Sequence, residues 1–127
     1  MKKKAIIVSI AGLTLSIKEK KLFRSYKPWG IILFKRNIDN FKQIKKLTSD
    51  IKKIMGSKSY PILIDEEGGT VSRLKKILDN SQLSQHFFGE LYKKNKNLSI
   101  NLYKIYINTL SKILNNIGIN INTVPVL

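Results

Sequence analysis

The chain has 127 residues, 43% of them hydrophobic, which excludes wholesale disorder and fits one domain or part of a larger one. It carries 24 basic residues against 8 acidic ones, a formal net charge of +16, and no cysteine. Disulfides and thiolate zinc sites are thereby excluded, and no apolar stretch is long enough to span a bilayer.

Met1-Lys2-Lys3-Lys4 followed by the apolar run Ala5 to Ile17 imitates the basic and hydrophobic regions of a signal peptide. Ser9, Gly12, Thr14 and Ser16 break the run, and no small-x-small cleavage site follows, so these residues read instead as a strand and a helix cap. Ala5 to Ile10 is the β-branched strand. Ser16 with Glu19 three residues on is a capping-box pattern, opening a helix that runs to about Tyr26 because Pro28 disfavours helix before it.

Gly30 to Phe34 is the second strand. Asp39 or Asn40 caps a second helix, in which Phe41, Ile44, Leu47, Ile51 and Ile54 keep helical spacing and Gly56 ends the run. Tyr60 to Ile64 is the third strand and delivers Asp65 at its C-terminal end. The stretch from Glu66 to about Asn97 holds one short helix, Ser84 to Lys94. Leu98 to Asn116 is a long helix, with Leu98, Leu102, Ile105, Leu110, Ile113 and Leu114 expected as its apolar face. Gly118 closes it, and Ile119 to Val124 is a fourth strand running into Pro125-Val126-Leu127. Strands alternating with helices imply an α/β fold with parallel pairing and right-handed crossovers.

The positive charge raises nucleic acid as a partner. The kind of base argues otherwise. Arginine occurs only at Arg24, Arg36 and Arg73, whereas phosphate recognition favours the forked guanidinium. The lysines are spread along the chain on the polar sides of helices, as at Lys42, Lys45, Lys46, Lys52 and Lys53. Together with the abundance of Ile and Asn, they read as a composition bias. No specific nucleic acid and no membrane partner is expected.

Asp65-Glu66-Glu67 gathers three of the 8 acidic residues at the end of a strand, followed by Gly68-Gly69. In parallel α/β folds the C-terminal ends of strands carry the site. An ionised carboxylate there can accept from two neighbouring sugar hydroxyls, and Arg73 lies close enough in sequence to return as donor or ion-pair partner. The same residues also fit a solvated acidic turn with a structural Arg–Asp pair.

Three segments occur in order: Trp29-Gly30-Ile31-Ile32-Leu33-Phe34-Lys35-Arg36-Asn37, then Ile64-Asp65-Glu66-Glu67-Gly68-Gly69-Thr70-Val71-Ser72-Arg73, then Ile119-Asn120-Ile121-Asn122-Thr123-Val124-Pro125-Val126-Leu127. Together they resemble the β-N-acetylhexosaminidases of glycoside hydrolase family 3. The resemblance implies residues 1–127 as the N-terminal half of a (β/α)8 TIM barrel, about four parallel strands and three main helices. It also implies a cytoplasmic enzyme of peptidoglycan recycling. Such an enzyme releases terminal N-acetylglucosamine from muropeptide fragments through a covalent glycosyl-enzyme, without metal or cofactor. Matched residue by residue, it implies substrate-binding roles for Asp65 and Arg73. Thr70 stands where that family often has arginine, and Ser9 where aspartate is common.

No catalytic residue is expected in this stretch, because the family's nucleophilic aspartate and its acid/base histidine belong to later segments. The fragment alone is therefore expected to be inactive, and an open half-barrel to self-associate. His86 is expected at the surface or in packing. Glu66 and Glu67, adjacent on a turn, are poorly placed to flank a scissile bond, and Glu67 is expected to orient the loop through backbone hydrogen bonds. The rival expectations are another family 3 glycosidase such as a β-glucosidase, and a non-catalytic basic binding module.

Overall fold

The structure, a computed structural model, describes residues 4–124; the first three residues and the Pro125-Val126-Leu127 end of the third motif lie outside the described residues. Four strands form, β1 (Lys4–Val8), β2 (Pro28–Leu33), β3 (Ile62–Ile64) and β4 (Ile121–Asn122). They pair in parallel in the order β1-β2-β3-β4. Parallel neighbours need crossovers. Helix α1 (Ile17–Tyr26) joins β1 to β2, and α2 (Phe41–Met55) joins β2 to β3. Helices α3 (Gln85–Lys94) and α4 (Lys96–Asn116) lie between β3 and β4. The α/β class and the parallel pairing are those expected from the alternation of patterns, and the sequential strand order fits the half-barrel that the motif resemblance implies.

Local chemistry explains the boundaries. Ser16 accepts from the Glu19 N–H while the Glu19 carboxylate reaches back to the Ser16 N–H, so the capping box is complete. Partial burial pushes the Glu19 carboxyl up, but the Ser16 hydroxyl and the Ala11 and Ser16 N–H groups donate to its charged form and leave it below its usual range. At the other end Pro28 bars the α region to Lys27, which turns left-handed at φ 44° and returns its N–H to Phe23. Asn40, not Asp39, caps α2 by accepting from the Gln43 N–H.

The core lies between the sheet and its helices. Ile31, Leu33, Ile62 and Ile64 are fully buried against Phe23, Ile44, Leu47, Ile51, Leu110 and Leu114. Tyr60 is buried too, and burial pushes its phenol up to about 12, so the hydroxyl stays protonated and donates to the Pro28 carbonyl at 2.7 Å. On the outside, Lys42, Lys45, Lys46 and Lys53 of α2 face solvent. Four ion pairs form among the described residues, and they engage only a small share of the lysines. No helix among the described residues is long and apolar enough to cross a membrane.

Two expectations are corrected. The ladder of β4 spans only Ile121–Asn122, shorter than expected, because side-chain amides replace its flanks. Asn120 accepts from the Ile62 N–H at 2.8 Å and donates to the Tyr60 carbonyl at 3.1 Å, imitating a strand residue. On α4, Leu110 and Leu114 are buried as expected, but Leu98, Leu102 and Ile105 are exposed and Ser99 is buried in their place. The reason is α3. Ser99 donates to the Phe88 carbonyl at 2.9 Å, and the Phe88 ring stacks on Tyr106 and meets Tyr103 edge-on, which turns the leucines of the first turns outward.

Gly118 makes the turn from α4 into β4 at φ +84°, and a Cβ there would sit 2.5 Å from the Thr48 hydroxyl oxygen. That hydroxyl is already committed, donating to the Ile117 carbonyl at 2.6 Å. Gly118→Ala therefore combines a left-handed alanine with a collision and should destabilise by about 2–4 kcal/mol. Gly12→Ala meets nothing within 4 Å and should change stability by less than about 0.5 kcal/mol. Urea midpoints of the two variants check this, and equal midpoints would contradict the packing described at Gly118.

Candidate functional site

All three residues of β3 are buried, and the chain leaves the sheet directly into Asp65-Glu66-Glu67. This end of the sheet carries the C-termini of the parallel strands, where loops converge. Asp65 and Arg73 meet here: Arg73 Nη2 donates to Asp65 Oδ2 at 3.0 Å, and the two side chains are 27% and 25% exposed. Among the described residues, the other carboxylate oxygen, Oδ1, has only the Thr123 hydroxyl as a hydrogen-bond partner, at the long distance of 3.5 Å. The pair thus presents a charged acceptor with an open edge beside a guanidinium, an arrangement suited to neighbouring hydroxyls.

What brings Arg73 back to Asp65 is Glu66. Its carboxylate is 1% exposed, a position a charge occupies only when its oxygens are satisfied. Oε2 accepts from the backbone N–H groups of Arg73 at 2.7 Å and Leu74 at 2.8 Å, and Oε1 accepts from Asn80 Nδ2 at 3.0 Å. Asn80 in turn accepts from the Ser72 hydroxyl at 2.7 Å and donates to the Tyr106 hydroxyl at 2.8 Å, linking the loop to α4. Burial raises the Tyr106 phenol, the Asn80 hydrogen bond lowers it and the charge of Glu66 raises it again, so it stays protonated. The loop between these contacts turns at Gly68, where φ is +76° and a Cβ would collide with the Leu83 carbonyl oxygen.

The loop-organising role expected of Glu67 therefore belongs to Glu66; Glu67 is half-buried and contributes its backbone N–H to the Val71 carbonyl at 3.1 Å. Residue type could not separate two adjacent glutamates, because the direction of each side chain is set by the sheet. Asn122 is another residue the sequence did not single out. Its amide accepts from the Glu66 N–H at 3.0 Å and donates to the Glu66 carbonyl at 3.1 Å, holding β4 to the strand end that carries the site. His86 is exposed on α3 and takes no part. No cluster of three or more His, Cys, Asp or Glu side chains that could hold a metal occurs among the described residues. A cavity of about 290 Å3 lies between α4 and β4, lined by Glu66, Glu67, Tyr103, Tyr106 and Leu110 among others, but Asp65 and Arg73 are outside it. It is a gap behind the loop, not the place where the paired charges are presented.

No protein-family model matches the chain. Among curated proteins, the β-hexosaminidase of Bordetella avium is 31% identical over 124 residues, covering 96% of this chain and 35% of that protein. The β-hexosaminidase of a serogroup B strain of Neisseria meningitidis is 38% identical over 68 residues, covering 54% of this chain and 19% of that protein. The crystal structure of NagZ from Neisseria gonorrhoeae in complex with zinc ion superposes with a TM-score of 0.86 at 28% identity, covering 98% of this chain and 37% of that one. A glycoside hydrolase family 3 β-N-acetylglucosaminidase from Paenibacillus sp. str. FPU-7 superposes with a TM-score of 0.70 at 26% identity, covering 94% of this chain and 22% of that one. The homologues are thus β-hexosaminidases, and the open sheet with its helices matches the N-terminal part of NagZ. The chain spans about a third of the length of the Bordetella avium relative.

Glu66→Gln tests the loop. One amide oxygen cannot serve both the paired backbone N–H groups and Asn80, so a buried donor must face a donor, at a cost of about 1–3 kcal/mol. The half-exposed Glu67→Gln should cost less than about 0.5 kcal/mol. Chemical denaturation of both variants decides, and a Glu66 variant as stable as wild type would remove Glu66 from its organising role.

Proposed function

We infer that this chain is the N-terminal, sugar-gripping part of a β-N-acetylhexosaminidase of glycoside hydrolase family 3, whose intact form closes as a (β/α)8 barrel. The observation that carries this is the Asp65–Arg73 pair. It stands at the C-terminal end of an interior strand, with one carboxylate oxygen held among the described residues only by a long contact to Thr123, in a chain whose homologues are β-hexosaminidases over nearly its whole length. In this reading Asp65 accepts from two hydroxyls of a terminal N-acetylglucosamine while Arg73 holds the carboxylate in place and offers its remaining donors to the same sugar. Bond cleavage falls to residues of the relatives outside the matched third. The carboxylates here support that division. Glu66 is saturated by three donors and Asp65 is paired, so neither is free to shuttle a proton. The substrate is a peptidoglycan fragment ending in N-acetylglucosamine, and the compartment is the cytoplasm.

The experiment is mutation in the intact enzyme. Losing two charge-assisted hydrogen bonds of about 1.5–3 kcal/mol each, Asp65→Ala should lower kcat/KM on a chromogenic N-acetylglucosaminide by about 100-fold or more. Arg73→Ala should lower it by a smaller factor, and Arg24→Ala, on the exposed face of α1, should leave it unchanged. Equal, minor effects at all three positions would take Asp65 and Arg73 out of the site. A second expectation concerns assembly. Among the described residues the outer strands β1 and β4 each have a neighbour on one side only, and β1 carries exposed Ile6 and Ile7, while Leu98, Leu102 and Ile105 of α4 are exposed as well. Residues 1–127 alone should therefore sediment as a concentration-dependent oligomer, and a strict monomer across concentration would contradict this.

A further inference from the structure

The motif segment Trp29 to Asn37 ends in Phe34, Arg36 and Asn37, which the sugar grip does not by itself explain. Asn37 is 0% exposed, and it ties two strand ends together. Its amide donates to the Ile10 carbonyl at 3.1 Å and the Gly12 carbonyl at 2.9 Å, and accepts from the Phe34 N–H at 2.9 Å. The backbone of Phe34 is thereby fixed relative to the end of β1. Arg36 donates from Nε to the Ile10 carbonyl at 3.1 Å, and its guanidinium carbon lies 4.8 Å from the centre of the Phe34 ring. The guanidinium carbon of Arg73 lies 5.7 Å from the same centre. Arg73 also has an anomaly: its Nε is buried and has no hydrogen-bond partner among the described residues. A buried N–H without an acceptor is costly, and native structures seldom leave one unless some weaker acceptor takes its place.

We propose that Phe34 is a positioning residue for the sugar grip, its ring holding the Arg73 guanidinium where it pairs with Asp65. This rests on the reading of Asp65 and Arg73 as the grip. The ring's face is electronegative and attracts a cation, and it does so without offering Arg73 an ion-pair partner other than Asp65. A carboxylate in the position of Phe34 would draw the guanidinium away from Asp65; an aliphatic side chain would leave it free to turn. Arg36, tied to Ile10, braces the ring and does not compete for Asp65.

Two measurements on the 127-residue chain test this. In the first, the Nε–H resonance of Arg73 is assigned by NMR and compared with that of exposed Arg24. Ring current should shift the Arg73 proton upfield, and its solvent exchange should be slow. Phe34→Leu keeps apolar bulk without a π face and should move the resonance toward that of Arg24, while Phe34→Tyr should retain it. An Arg73 resonance already like that of Arg24 in the wild-type chain overturns the proposal without any variant having to fold. In the second, N-acetylglucosamine is titrated. Phe34→Leu should weaken binding by about 5-fold, a shift in keeping with a part-exposed cation–π contact. Phe34→Tyr should restore binding, and Asp65→Ala should abolish it. Loss with Asp65→Ala but none with Phe34→Leu defeats the positioning role and leaves the grip standing. No binding in the wild type, or equal binding in Asp65→Ala, defeats the grip; the Arg73 resonance then decides whether Phe34 still orients the guanidinium.

Discussion

The interior strand β3 is the constraint on which the rest depends. It is three residues long, hydrogen-bonded to a parallel neighbour on each side, and buried at every residue. A strand so enclosed cannot shift register without driving Ile62 or Ile64 out of the core, so the residue that leaves it is placed with the precision of the sheet itself. Asp65 inherits that placement. The loop after it has no regular structure through Leu83, and is held by the buried carboxylate of Glu66 where a helix or strand would hold another segment. Asp65 stays part-exposed beside Arg73 and Glu66 turns into the protein, because successive side chains at a strand end diverge.

Much of this was legible in the sequence. The Ser16–Glu19 pair, the glycine after α2 and the proline before β2 are local signals, and local signals act through the few residues beside them. Asp65 and Arg73 were legible through motif resemblance, and the structure brings them to 3.0 Å. What escaped the sequence is what depends on contacts between distant segments. Asn37, Asn80, Asn120 and Asn122 each bridge segments that are far apart along the chain or belong to different elements. Asn37, Asn120 and Asn122 fall inside the motif segments but residue type says nothing of their partners, and in an asparagine-rich chain nothing marks Asn80 from others on the surface. The C-terminal part of the α4 face, Leu110 and Leu114, is buried as expected, but its N-terminal part escaped for a related reason. The helix carries two stripes with helical spacing, one through Leu98, Leu102 and Ile105 and one through Ser99, Tyr103 and Tyr106, and only the docking of α3 selects between them.

The arginines and lysines divide the work in a way composition alone conceals. Arg36 and Arg73 stand against one ring at the strand ends, each with a planar group that can stack and donate at once. The lysines lie mostly on outer helical faces. Exposed pairs such as Lys46–Asp50 and Lys93–Glu90 connect neighbouring turns of one helix, and contacts of this kind contribute little to stability. The positive charge is therefore a property of the coat, and the pair at the end of β3 uses a different cation.

That coat has a consequence for the solvent the molecule requires. With 24 basic residues, 8 acidic ones and four ion pairs among the described residues, the average charge on the surface meets repulsion more often than attraction. Counterions gathered within a Debye length of about 8 Å at physiological ionic strength screen mainly that repulsion. Electrolyte is in this sense a structural component of the fold: raising it tightens the folded state, where a protein stabilised by surface ion pairs would loosen. In dilute buffer the same surface would adsorb to glass, resin and any polyanion at hand, and such adhesion would report the coat and nothing about the Asp65–Arg73 pair.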